Sequence, residues 1–152
     1  MYDVFVAELR CPNCGQVIPI TANTAMQTHI RDDADGSMLG IGFVFDPRDL
    51  TTQSILDSDY ALITEPRPGG PIRLLDVWIC PECSTEQWAM VTIADGRIER
   101  IEPVVLTRAV LEAANFISDT NAELEAQRFA EAGGAEAAGG AISVDVLRRH
   151  LP

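Results

Sequence analysis

The chain of 152 residues contains no lysine. That absence removes Schiff-base chemistry and the phosphate-binding lysine of a P-loop from consideration. Its 11 basic residues are all arginines, scattered from Arg10 to Arg149 with no single cluster. Against 23 acidic residues they leave a net charge of -12, and such a surface repels a nucleic-acid backbone. Nucleic acid is therefore not the expected partner. No apolar run approaches the roughly 20 residues that cross a bilayer, so no membrane partner is expected. The first ten residues carry an early acid, Asp3, and no basic start, which does not read as a signal peptide. The expected compartment is the cytoplasm, where thiols stay reduced and paired cysteines favour a metal over a disulfide.

Cysteine is also scarce, with four in total, and all four fall in two short turns. These are Cys11-Pro12-Asn13-Cys14-Gly15 and Cys80-Pro81-Glu82-Cys83. Two Cys-x-x-Cys pairs supply the four soft ligands of a tetrahedral metal site, each pair from one tight turn. Cys11, Cys14, Cys80 and Cys83 are thus the expected metal ligands. A closed set of four thiolates leaves no open position for substrate or water, so the site reads as structural. Four thiolates and one zinc ion would add a further net two negative charges to an already acidic chain.

The two turns resemble the knuckles of zinc ribbons and of rubredoxins. Zinc and iron both accept four thiolates. A rubredoxin would be a small electron carrier whose second knuckle normally ends in glycine, where this chain has Ser84. The long stretch between the knuckles and the tail beyond them also depart from that family, which puts Zn2+ ahead of iron.

The expected fold class is α+β: a zinc ribbon of two knuckle-bearing antiparallel β-hairpins, with an insertion of about 50 residues and a helical C-terminal tail. Tyr2 to Leu9 alternates with both faces largely apolar and reads as a covered strand running into the first knuckle. Gln16 to Thr21 returns as an edge strand, given Pro19. Residues 22–71 form the insertion, with a short helix or loop at Thr24 to Ile30. Apolar, β-prone residues follow from Met38 to Phe45, interrupted by Gly40 and Gly42. A helical turn is expected at Leu50 to Leu56 and a short strand at Tyr60 to Thr64. Ile72 to Ile79 delivers the second knuckle and Glu86 to Ala94 leaves it. Asp95-Gly96 then turns into Arg97 to Ile101, completing a three-strand meander. Trp78 and Trp88, flanking the knuckle, are expected to cover the metal.

Residues 1–102 thus form a β domain, followed by a helical segment at 103–132. Leu106, Val110, Ala113 and Ile117 recur at helical spacing behind Thr107 as a cap. Thr120-Asn121-Ala122-Glu123 matches a capping box and opens a second helical run carrying Leu124 and Phe129. A Gly/Ala linker spans 133–142. Ser143 can cap a last short helix, 143–152, whose Val144, Val146, Leu147 and Leu151 are expected to dock onto another surface.

Other candidates yield to plainer readings. Asp32-Asp33-Ala34-Asp35-Gly36 does not fit a calcium loop, because Arg31 and Gly42 fall where acids are required. His29 beside Asp32 and Asp33 invites a catalytic pair, yet no nucleophile, oxyanion site or phosphate loop accompanies it. Gly40-Ile41-Gly42 lacks the third glycine of a dinucleotide site. His150 should be exposed.

The leading functional expectation is a non-catalytic subunit of a larger enzyme, docked on larger protein subunits. The small zinc-binding subunits of acetone-carboxylase-type enzymes are similar in size and have two separated Cys-x-x-Cys turns. Their second turn lies between strands, as Val77-Trp78-Ile79-Cys80-Pro81-Glu82-Cys83 does here. That resemblance covers the knuckles and their strands and implies no catalytic residue. The alternatives are a free-standing regulatory or transcription-associated zinc ribbon, which would need a basic or aromatic binding face, and the rubredoxin-like electron carrier.

Overall fold

The most β-prone stretches pair first with their sequence neighbours, because a tight turn brings them together at small entropic cost. In the computed structural model, which describes residues 2–31, 36–133 and 140–152, they form the centre of an α+β protein. We number the strands in chain order: β1 (Asp3–Phe5), β2 (Leu9–Arg10), β3 (Val17–Ile18), β4 (Gln27–Thr28), β5 (Met38–Leu39), β6 (Tyr60–Leu62), β7 (Ile72–Ile79), β8 (Glu86–Ala94), β9 (Arg97–Val104) and β10 (Phe116–Ser118). The helices are α1 (Thr52–Leu56), α2 (Arg108–Ala113), α3 (Asp119–Gly133) and α4 (Gly140–His150), with a short 3-10 turn at Pro47–Leu50.

β7, β8 and β9 form the expected antiparallel meander. Asp95 (φ 51) and Gly96 (φ 78) are both left-handed at the β8–β9 turn, as a two-residue hairpin of matching twist requires. The meander belongs to a five-stranded sheet ordered β6-β10-β7-β8-β9. Both faces of this sheet are covered, which explains why its strands are apolar on both sides. One face buries Leu74, Trp78, Ala89, Val91 and Ile93 with Phe5, Leu9, Ile18 and the two leading cysteines. The other buries Leu75, Trp88 and Met90 against Leu111, Ala122, Val144 and Leu147 of the helices.

Several sequence expectations change here. Tyr2 to Leu9 is not one strand: β1 lies in a three-stranded sheet, β4-β1-β5, and β2 pairs with β3 in a separate hairpin. Thr24 to Ile30 is neither helix nor plain loop, since it contributes β4, antiparallel to β1. Segment 22–71 does not behave as an appendage. It supplies β6 to the main sheet, β4 and β5 to the smaller one, and Met26, Ile30, Leu39 and Ile55 to the core. Val44 bridges to Arg97, fixing the segment to the β8–β9 turn.

The helical stripe after Pro103 is broken by a strand. Thr107 caps α2 as expected, its side chain accepting from the Val110 N–H. The helix stops at Ala114, however, and Ile117 sits in β10, parallel to β7 and antiparallel to β6. Asn115 makes this insertion possible. Its side-chain oxygen accepts from the Arg73 N–H at 2.8 Å and its amide donates to the Thr64 carbonyl at 3.0 Å. Its own carbonyl accepts from Ile63 at 2.8 Å. These bonds offset the helical hydrogen bonds given up at that point. The Val110, Ile117, Leu124, Phe129 stripe therefore does not exist as one helix face, and Leu124 is exposed.

α3 already begins at Asp119, so Thr120 lies within its first turn and not at its cap. Residues 134–139 of the Gly/Ala linker lie outside the described residues, but α4 starts at Gly140 and places Ser143 in its buried interior. Val144, Val146, Leu147 and Leu151 are buried within this same chain, against α3 and β6. The apolar face of the last helix is thus occupied internally. No helix among the described residues is long and apolar enough to cross a membrane.

Candidate metal centre

The two cysteine turns are built on one plan. In the first, the Gly15 N–H donates to the Cys11 carbonyl at 2.9 Å and the Cys11 N–H to the Gln16 carbonyl at 2.9 Å. In the second, the Ser84 N–H donates to the Cys80 carbonyl at 2.8 Å and the Cys80 N–H to the Thr85 carbonyl at 3.0 Å. The residue after the second cysteine is left-handed in both, Gly15 at φ 76 and Ser84 at φ 59. Turning the chain back this sharply needs a positive φ, which glycine adopts freely and serine only at a cost.

These turns aim four sulfurs at one point. Cys11 Sγ lies 3.7 Å from Cys83 Sγ, and Cys14 Sγ 3.7 Å from Cys80 Sγ. All four ligand atoms fall within 4.8 Å of one another. A disulfide would require about 2.05 Å. A tetrahedron with sulfurs roughly 2.3 Å from a central ion has edges of about 3.8 Å, so the spacing fits a four-thiolate metal site. Each leading cysteine, Cys11 and Cys80, is buried, and each trailing one, Cys14 and Cys83, is half-buried. The four cysteines named from the sequence are brought together and could bind a metal ion.

The surroundings tune the thiols unequally. Cys83 lies 3.0 Å from the Thr85 hydroxyl and accepts from the Asn13 amide at 3.4 Å. The Thr85 hydroxyl first, then Asn13 and the Thr85 N–H, pull its pKa down to about 6. Cys14 also receives a backbone hydrogen bond, from Gln16, but desolvation and the sulfurs of Cys80, Cys11 and Cys83 push it up to about 12. Four sulfurs in mutual contact cannot all ionise without a cation among them, so ion binding would displace protons. Asn13 was not legible as a sulfur donor, because its bond crosses between turns 70 residues apart.

Trp78 is fully buried in the same core as Cys11 and Cys80, and its indole N–H donates to the Trp88 carbonyl at 3.2 Å. Trp88 faces the other way. It packs in the helical core and donates to Glu125 at 3.3 Å, so it does not cover the cysteines. Successive residues along a strand point to opposite faces, and Trp88 has the wrong parity.

The remaining candidates are dispersed. His29 is half-exposed, 3.8 Å from Asp59, and edge-on to Tyr2. Asp32, Asp33 and Asp35 lie outside the described residues. His150 is exposed but stacks on Phe129 with ring centroids 5.4 Å apart. Gly42 is left-handed at φ 94, with its N–H bonded to the Ile98 carbonyl, a turn and not a phosphate cradle. Among the described residues the four cysteines form the one cluster able to hold a metal. Comparison with protein-family models, with curated proteins and with solved structures finds no match to this chain.

Proposed function

We propose that Cys11, Cys14, Cys80 and Cys83 hold one structural Zn2+ in a zinc-ribbon arrangement, and that the chain serves as a non-catalytic accessory subunit of a larger enzyme. The observation that carries the first part is the convergence of four sulfurs at tetrahedral spacing from two equivalently built turns. Four protein ligands complete the coordination of zinc and leave no position for a reacting group. The chemistry that such an ion supplies is cross-linking: it joins segments 66 residues or more apart in sequence.

The second part draws support from the surface. The net charge of -12 disfavours a nucleic-acid role. Met38, Ile41 and Val44, close in sequence between the knuckles, are each exposed by 59% or more, and exposed large apolar side chains suit a protein contact. The knuckle resemblance makes an acetone-carboxylase-type assembly the specific case to test.

Elemental analysis of the purified chain should return one zinc per chain in a colourless protein. A coloured iron protein, or a folded metal-free one, overturns the zinc reading. Untagged purification from the native host should give co-elution with larger subunits in fixed stoichiometry, and a clean monomer overturns the subunit reading.

A further inference from the structure

β10 pairs with β7 only at Leu74 and Leu75, so the knuckle-side half of β7 lacks that neighbour. The gap is a cleft of about 370 Å³ between β4, β6, β7 and the start of α3, within the usual size range of small-ligand sites. Asp76 of β7 lines it while being only 3% exposed. Its Oδ2 accepts from the Tyr60 hydroxyl at 2.7 Å. Tyr60 has spent its one proton there, so Thr28 donates its hydroxyl to Tyr60 at 3.0 Å. This buried chain fixes the carboxyl but supplies it with no counter-charge. Among the described residues Asp76 forms no ion pair.

A carboxylate withdrawn from water without a cation is costly, and the cost falls when a ligand brings the cation. The acids of the lining outnumber its bases, with Glu86 3.8 Å from Arg128 and Asp59 3.8 Å from His29. Asp59 and Glu86 stand at the cleft with His29 as its one basic group, and no arginine lines it. Asn121 donates its amide to the Ser118 hydroxyl at 2.9 Å, which leaves its carbonyl oxygen to accept a bond. Val77 and Ile79 provide an apolar wall. A metal ion is the wrong cation: these carboxylates do not converge, and no metal-holding group other than the cysteines exists among the described residues. Two of the cleft's residues, Ala25 (φ 54) and Asp59 (φ 68), are held left-handed, a strain that tends to gather at functional sites.

We propose that this cleft binds a small primary ammonium compound, with the Asp76 carboxylate as its counter-ion and the hydroxyl and amide oxygens of the lining accepting its remaining N–H bonds. The alkyl part lies along Val77 and Ile79. This site is separate from the cysteine centre and does not depend on which metal the cysteines hold.

The test is an NMR titration of the full-length, metal-loaded chain at pH 8 with n-butylammonium, and with n-butanol as its uncharged counterpart. Saturable shifts of the Thr28, Val77 and Asn121 amides are expected with the ammonium and not with the alcohol. Asp76→Asn, close in shape and uncharged, should weaken binding at least about tenfold, as expected for loss of a charge-assisted hydrogen bond. Asp59→Asn and Glu86→Gln, at the exposed mouth, should change it less than about threefold. In the unmutated chain, the carboxyl carbon resonance of Asp76 should titrate at lower pH with the ammonium present, a readout that does not need the variant to fold. An unmoved titration, equal binding of the alcohol, or unchanged affinity in Asp76→Asn overturns the proposal and leaves Asp76 as a tie between strands.

Discussion

The two cysteine turns have nearly the same hydrogen bonds and very different foundations. The second stands on β7 and β8, which pair along eight residues and lie at the centre of the main sheet. The first stands on β2 and β3, two residues each, in a two-stranded hairpin of its own. An isolated hairpin of that size is marginal in water. The second turn is therefore held by the ladder of the main sheet, whereas the first rests on the packing of Leu9 and Ile18 in the core and on the sulfurs across from it. The same local geometry is scaffold in one place and client in the other.

Removing the ion should expose this asymmetry most strongly. Structural zinc in comparable thiolate sites contributes on the order of 10 kcal/mol to folding. Strong chelation, or Cys80→Ala, should abolish amide-exchange protection at Leu9–Arg10 and Val17–Ile18. Protection within Leu74 to Ile93 should outlast it. Loss of both at the same rate would show that the turns share one foundation after all.

A smaller effect lies on the strand that carries the second turn. Burial first, opposed by the hydrogen bond from Tyr60, raises Asp76 to about 7 from an ordinary 3.8. Between those two values the unfolded chain releases this proton while the folded chain keeps it. The stability linked to this proton is thus fully present below about pH 4 and is lost as pH rises through 7. The difference amounts to roughly 4 kcal/mol at most. Asp76→Asn should remove this slope, as read by denaturant unfolding of variant and parent at matched pH with excess metal. A slope unchanged by the substitution would place the titration elsewhere. The cysteine centre works in the opposite direction, because its thiols must lose protons to bind an ion, so metal affinity should fall as pH falls.

The turns themselves predict the smallest effects. Gly15→Ala puts a side chain at φ 76 with no atom within 4 Å of the added Cβ, so the cost is backbone strain alone, about 1 kcal/mol. Ser84→Gly relieves the same strain in the second turn and should stabilise by about 0.5–1 kcal/mol, both read as shifts in the midpoint of thermal unfolding. Equal and opposite shifts would confirm that the turns are locally equivalent. A larger loss at Gly15 would show how much more the weaker hairpin depends on its turn.

The long strands were legible because each runs eight or nine residues and ends at a strong turn signal, as at Asp95-Gly96. β10 was not, since three residues carry too little pattern to compete with an accidental helical period through Val110 and Ile117. β4 was missed for the same reason, and β1 and β5 were legible only as parts of longer β-prone stretches. Each is held by a partner distant in sequence, such as the Asp3 carboxylate accepting from the Ser37 N–H at 2.8 Å. The last helix showed its apolar face plainly, and its burial against α3 and β6 came only from the fold.

The sequence alone determined the four cysteines as a set, because thiolate chemistry and Cys-x-x-Cys spacing are local properties that need no tertiary partner. Tertiary structure decided what they join. It set a short two-stranded hairpin across from the β7–β8 pair at the centre of a five-stranded sheet and sank Asp76 out of water between Tyr60 and a cleft. Burial and counter-charge depend on what long-range folding places nearby, and no residue carries that information in its own neighbourhood.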